Sequence, residues 1–143
     1  MIYLDNAATT KTAPEVVDAM LPYFSEYFGN PSSIYALGAS SKKALNQART
    51  TIAESLGAKA EEIYFTAGGS EADNWALKAA AESYGGAGGH IITTKIEHPA
   101  ILNTCHYLEE RGYTVTYLDV DGEGLVSPQT VEQAIRPDTF LIS

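Results

Sequence analysis

From residue 90 onward the chain alternates short apolar runs with longer amphipathic ones. HIITT (90–94) and YTVTYL (113–118) are brief and rich in β-branched and aromatic residues, which predicts strands. PAILNTCHYLEER (99–111) and a segment near 128–136 place apolar positions at helical spacing, and TFLIS (139–143) predicts a last strand. The alternation begins earlier, with a strand expected at 62–66 and a helix at 70–84. Strand–helix repetition at this spacing implies βαβ units. The expected fold is therefore α/β, a mostly parallel sheet with flanking helices.

The first part of the chain reads differently. Residues 14–28 (PEVVDAMLPYFSEYF) carry apolar positions at helical spacing, with Pro14 suited to a first turn. GNPSSIYALG (29–38) is punctuated as a loop, and residues 39–56 predict a helix closed by a C-cap at Gly57. No linker or internal repeat is visible. The expected organisation is an N-terminal arm, helix and loop over 1–38, followed by the βαβ part over 39–143. Because the chain stops on an apolar strand with no helix to cover it, the sequence reads as part of something longer.

Composition narrows the function class. Nine basic against eighteen acidic side chains give a net charge of −9, and the lysines are scattered, which argues against binding a nucleic-acid backbone. No apolar run approaches the ~18 residues of a membrane span, so no membrane association is expected. MIYLDNAATT lacks a secretory pattern, and the single cysteine, Cys105, excludes an internal disulfide. A reducing cytoplasm is the expected location.

The candidate chemistry starts at AGGSEAD (67–73), between an expected strand and helix. Gly68 and Gly69 allow close backbone approach, Ser70 is a favoured N-cap, and Asp73 stands where a capping-box partner would. Free N–H groups at such a helix start also form an anion site, to which Ser70 could donate. Read alone, the turn serves equally as helix cap or phosphate cradle. Neither G-x-G-x-x-G nor G-x-x-x-x-G-K-[ST] is present, and Glu71 and Asp73 oppose a highly charged triphosphate, so a phosphate monoester is the better anion.

His98 follows strand 90–94 and precedes Pro99, at the sheet end where ligands of open parallel sheets bind. It thus falls at the same end as Gly69–Ser70. His90 opens its strand at the opposite end and receives no role. Cys105 and His106 are adjacent on one helix and point apart, so Cys105 is read as packing. DVDGEG (119–124) lacks the distal glutamate of a calcium loop and reads as a turn, and no metal site is expected. GGAGG (85–89) is read as a connection.

Four stretches together carry a family resemblance: YLDNAATT (3–10), FGNPSSIYALG (28–38), FTAGGSEADNWALK (65–78) and KIEHPAILNTC (95–105). In order and spacing the chain resembles the cysteine desulfurase branch, NifS/IscS type, of the class V aminotransferase-like, pyridoxal-phosphate-dependent enzymes. The resemblance implies the N-terminal part of an aspartate aminotransferase-like (fold type I) large domain. It implies that Gly69 and Ser70 hold the phosphate of pyridoxal 5′-phosphate. It also implies that His98 stacks on the ring and assists proton transfer as a catalytic residue, with Asn6 to Thr9 near the mouth of the site. The complete enzyme would be a homodimer that converts L-cysteine to L-alanine. It would pass sulfur as a persulfide to an acceptor protein, for iron–sulfur cluster assembly. The family's Schiff-base lysine, pyridine-pairing aspartate, carboxylate-binding arginine and nucleophilic cysteine have no counterpart in this sequence. The resemblance therefore covers the first third of such an enzyme, and the 143-residue chain alone is expected to be inactive.

Overall fold

The computed structural model describes residues 2–85 and 88–143, which pack as two compact units, Met1–Tyr64 and Phe65–Ser143. The sequence-based break between residues 38 and 39 would fall inside a helix.

In the first unit, α1 (Pro14–Met20) and α2 (Pro22–Ser25) replace the single helix expected over 14–28. Pro22 has no N–H for a helical bond and its ring crowds the preceding turn, so the helix breaks at Leu21. α3 (Ala36–Leu56) starts three residues before the expected 39 and closes, as expected, on Gly57 in the left-handed region at φ 66°. The 29–38 loop lies directly on the first turns of α3. A Cβ on Gly29 would strike the Leu37 carbonyl, and one on Gly38 would meet the Asn30 carbonyl and Ser33. The Ser41 hydroxyl donates to Tyr27 O at 3.1 Å, and Arg49 Nε donates to Ile63 O at 3.1 Å after a 3₁₀ turn, Ala60–Glu62.

The strand expected at 62–66 does not form. Ile63 is extended (φ −99°, ψ 123°), yet residues 63–66 join no ladder among the described residues. Local β-propensity supplied the conformation, but a strand exists only through a neighbour, and none is offered here.

The second unit holds the sheet: β1 (His90–Thr94), β2 (Thr114–Leu118) and β3 (Thr139–Ile142), in the order β2–β1–β3 and parallel throughout. α5 (Pro99–Glu109) connects β1 to β2, and α6 (Pro128–Ala134) connects β2 to β3. Ahead of them, α4 (Gly69–Ala80) runs into a π-helical turn, Ala81–Gly85, where a helix to 84 was expected. The connection expected at 85–89 includes residues 86–87, which lie outside the described residues. Elsewhere the expected strands and helices agree with the observed ones to within two residues.

β1 is central and buried on both faces, which is why its pattern is a continuous apolar-and-threonine run. On one face Ile91 packs with Leu77 and Ala81 of the α4 segment and Ile101, Cys105 and Leu108 of α5, backed by Val115 and Phe140. Fully burying side chains of this size contributes roughly 1.5–3 kcal/mol each. On the other face His90 is 0% exposed. Its Nδ1 lies 2.7 Å from Thr139 Oγ1 and its Nε2 2.8 Å from Thr116 Oγ1, so one imidazole ties β1 to both neighbours. Thr139 Oγ1 also accepts from Arg136 N at 2.8 Å. Burial, then the nearby Arg136 guanidinium, push the His90 pKa below its ordinary 6.5, against a smaller opposing effect of Asp138.

Candidate functional site

The turn before α4 is built by side chains other than those expected. The N-cap is Gly68, with extended backbone, and Ser70 lies inside the first turn. Ser70 and Asp73 therefore form no capping box. Instead the Glu71 carboxylate reaches back and accepts from Ala67 N at 2.6 Å, while Asn74 Nδ2 donates to Ser70 O at 2.9 Å. The Gly68 carbonyl accepts from Ala72 N at 3.2 Å, so the first intrahelical bond is made. The N–H groups of Gly69, Ser70 and Glu71 precede it and have no helical acceptor.

Neither glycine is required by the chain around it. Gly68 has φ 166°, extended backbone that any residue adopts, and Gly69 is helical. A Cβ on either would meet nothing within 4 Å. At Gly29 and Gly38 a Cβ would collide with backbone; at Gly68 and Gly69 it would enter open space above the turn. Glycine there leaves room outside the chain, next to unpaired N–H donors and the exposed Ser70 hydroxyl.

His98 is the N-cap of α5. Its Nδ1 accepts from Ala100 N at 3.1 Å, and Pro99 occupies the first helical position, where a missing N–H costs nothing. An Nδ1 that accepts a backbone N–H carries no hydrogen, so in the neutral ring Nε2 is the donor.

Ser70, Asn74 and Lys78 follow one another at four-residue intervals along α4 and face His98, Asn103 and Tyr107 of α5 across a cleft of about 440 Å³. Two of the expected site residues, Ser70 and His98, thus line one cleft, with the first turns of two helices opening on it. Gly69 adjoins Ser70 at its end. Sequence reasoning had not singled out Asn74, Lys78 or Asn103, although the i, i+4, i+8 spacing of Ser70, Asn74 and Lys78 was available as a signal. Lys78 Nζ stands 4.4 Å from the Tyr107 ring centroid.

The remaining reactive side chains are accounted for. Cys105 is fully buried in the core, and burial, with Glu109 and Glu97 nearby, pushes its thiol up to about 11, which makes it inert as a nucleophile. His106 pairs with Glu109 at 2.9 Å, and the Tyr117 hydroxyl donates to the same carboxylate at 2.9 Å. Burial first, then that hydrogen bond, raises the Tyr117 phenol. In DVDGEG, Asp121 Oδ1 accepts from Glu123 N and Leu125 N, both at 2.9 Å, and Gly124 has φ 81°, so the segment is a turn. The two backbone bonds hold the Asp121 carboxyl below its usual range. Among the described residues, no group of three or more histidine, cysteine or acidic side chains is placed to hold a metal, and no helix is long and apolar enough to cross a membrane.

A family model for the class-V aminotransferases matches residues 2–143. The cysteine desulfurase IscS of Methanosarcina thermophila is 57% identical over 142 residues, covering 99% of this chain and 35% of that protein. A putative cysteine desulfurase, IscS 1, of Bacillus subtilis strain 168 is 51% identical over 99% of this chain and 38% of its own length. Among solved structures, a NifS-like protein superposes with a TM-score of 0.91 at 38% identity, covering 99% of this chain and 39% of that one. SspA, solved in complex with cysteine, does so with a TM-score of 0.89 at 47% identity, over 98% of this chain and 40% of that one. The chain thus spans little more than a third of these relatives. Its fold is that of the NifS-like pyridoxal-phosphate enzymes, and it belongs to the class-V aminotransferase family.

Proposed function

We propose that this chain is the N-terminal portion of a pyridoxal-phosphate-dependent cysteine desulfurase and carries the phosphate-binding end of the cofactor site. The carrying observation is the cleft lined by both Ser70, in the first turn of α4, and His98, the N-cap of α5. The residues present fit the group. Open space over Gly68 and Gly69, unpaired first-turn N–H groups and a free hydroxyl suit a phosphate monoester, and two helix N-termini favour its charge. Pyridoxal phosphate, when bound, supplies the electron sink for bond cleavage at an amino acid.

The chain's own residues have distinct tasks. Ser70 Oγ and the Gly69 and Ser70 N–H groups bind and orient the phosphate. His98 lines the cleft from a cap that fixes the tautomer, so that Nε2 holds the proton. In the complete enzyme, a cytoplasmic homodimer on this reading, L-cysteine would yield L-alanine. The sulfur would pass as a persulfide to an acceptor protein for iron–sulfur cluster assembly. The lysine that would bear the cofactor and the cysteine that would take up sulfur have no counterpart here, so the 143-residue chain alone binds the cofactor's phosphate without catalysing.

Two measurements test the reading. A chain extended to the length of its relatives should release alanine and sulfide from L-cysteine; alanine without sulfide, or neither, overturns the desulfurase assignment. In the 143-residue chain, Ser70→Ala should weaken binding of pyridoxal 5′-phosphate about tenfold, the scale of one hydrogen bond to a charged group, and leave pyridoxal unaffected. Unchanged affinity removes Ser70 from the site.

A further inference from the structure

The Glu71 carboxylate belongs to the turn that would cradle an anion, and a negative charge there should oppose binding. Its observed partner resolves the conflict. Glu71 is the third helical residue of α4, from which a capping-box glutamate reaches the N–H of the cap residue itself. The bond instead goes one residue further back, to Ala67 N, at 2.6 Å. It fastens Ala67–Gly68, the bend that carries the first glycine, to the first turn of the helix. Thr66 Oγ1 donates to Gly68 O at 3.2 Å and fastens the same stretch from the other side. With two glycines and no packing contact that a Cβ would meet, the stretch has little else to hold its shape.

We propose that Glu71 is a positioning residue for the anion cradle. By accepting the Ala67 N–H, its carboxylate holds the glycine turn so that the Gly69 and Ser70 N–H groups face outward together. The same bond keeps the carboxylate turned back from the space they face. The proposal rests on the phosphate-site reading of Gly69–Ser70. It differs from that reading in predicting that loss of the Ala67 acceptor, although a negative charge beside the anion site goes with it, weakens anion binding.

The test uses the isotope-labelled 143-residue chain and inorganic phosphate as probe, read at the amide signals of Gly69 and Ser70. The native chain should show saturable shifts at these two amides. Glu71→Gln keeps an oxygen acceptor for Ala67 N and loses the charge, so it should bind phosphate as well as the native chain or more tightly. Glu71→Ala loses the acceptor and should bind about fivefold more weakly, with the Ala67 amide moved upfield and the Ile91 amide unchanged as a check on the fold. If the carboxylate only repels, both variants bind more tightly than the native chain, and the proposal fails while the site stands. If the native chain shows no shift at Gly69 or Ser70, the phosphate site and the proposal fail together.

Discussion

The two compact units bury different things. In the second unit the buried set is large and mostly apolar: Leu77, Ile91, Ile92, Ile101, Cys105, Leu108 and Leu118, with His90, Thr93 and Thr104 buried among them. In the first unit, among the described residues, only Gly29, Gly38, Ser41 and Ala53 are buried. Its large side chains lie open, Phe28 66% and Ile34 fully exposed. One unit is held by side-chain packing and the other by close backbone approach and a few hydrogen bonds. The candidate site belongs to the first kind of architecture, with α4 and α5 anchored through Leu77, Ile101 and Leu108 while their polar faces form the cleft. A rigid apolar support beneath a polar opening is what a binding site needs to hold its geometry.

The sharpest break of this contrast is a pair of truncations. Ile91→Ala, at a fully buried position of the central strand, should destabilise the chain by about 2–5 kcal/mol. Phe28→Ala removes a larger side chain that is mostly exposed and should change stability by no more than about 0.5 kcal/mol. Urea unfolding of both variants measures the difference. Comparable losses would mean that the first unit has a core of its own.

The same contrast decides how much was legible in the sequence. The second unit's elements follow from local pattern because their partners are near in the chain: β1 spans 90–94 as read, and Pro99 marks the start of α5. The stretch 62–66 was misread because the letters Ile63-Tyr64-Phe65-Thr66 state a preference, while a ladder depends on a distant partner that local pattern does not reveal. Pro22 inside the expected 14–28 helix was a visible breaker that the apolar spacing obscured. Ser70 and His98, which the sequence analysis placed at one end of the sheet, line one cleft, but how each is held was not legible. Ser70 looked like the cap and is not; His98, placed by the sequence just before a helix start, is the cap of α5 itself. His90 received no role because it opens β1 at the end of the sheet opposite His98; that it ties β1 to both neighbours depends on Thr116 and Thr139 of other strands, which local pattern does not reveal.

Glycines sharpen the comparison at a smaller scale. Gly38→Ala would place a Cβ 2.5 Å from the Asn30 carbonyl and should cost about 1–3 kcal/mol, because backbone must move. Gly69→Ala meets nothing within 4 Å and replaces a poor helix former, so it should stabilise the chain by about 0.5–1 kcal/mol. It should also reduce phosphate binding, since the new methyl group fills the space above the turn. Thermal unfolding with and without phosphate reads both effects. A destabilised Gly69→Ala chain would show that this glycine serves packing, like those of the first unit.

The last expected effect is a pH dependence confined to the second unit's sheet. His90 is buried with its pKa below 6.5, so the folded chain binds its proton less readily than the unfolded chain does. Stability from this group is therefore fully present above the unfolded value and falls as the pH drops below about 6.5, toward the lower folded value. One proton limits the slope to about 1.4 kcal/mol per pH unit. The carboxyls of Asp121 and Asp138, both held below their usual 3.8, give losses of the same sign only at pH values approaching that figure, so the windows separate. Denaturant unfolding between pH 7 and 5 should show the slope in the native chain and lose it in His90→Gln, which keeps hydrogen-bonding groups near Thr116 and Thr139 without titrating. Hydrogen exchange should place the acid-weakened amides in β1 and β3, which the imidazole joins, while those of α3 keep their protection. If α3 weakened equally over this range, the units would unfold together, and the contrast between a packed unit and a backbone-held one would describe architecture without describing stability.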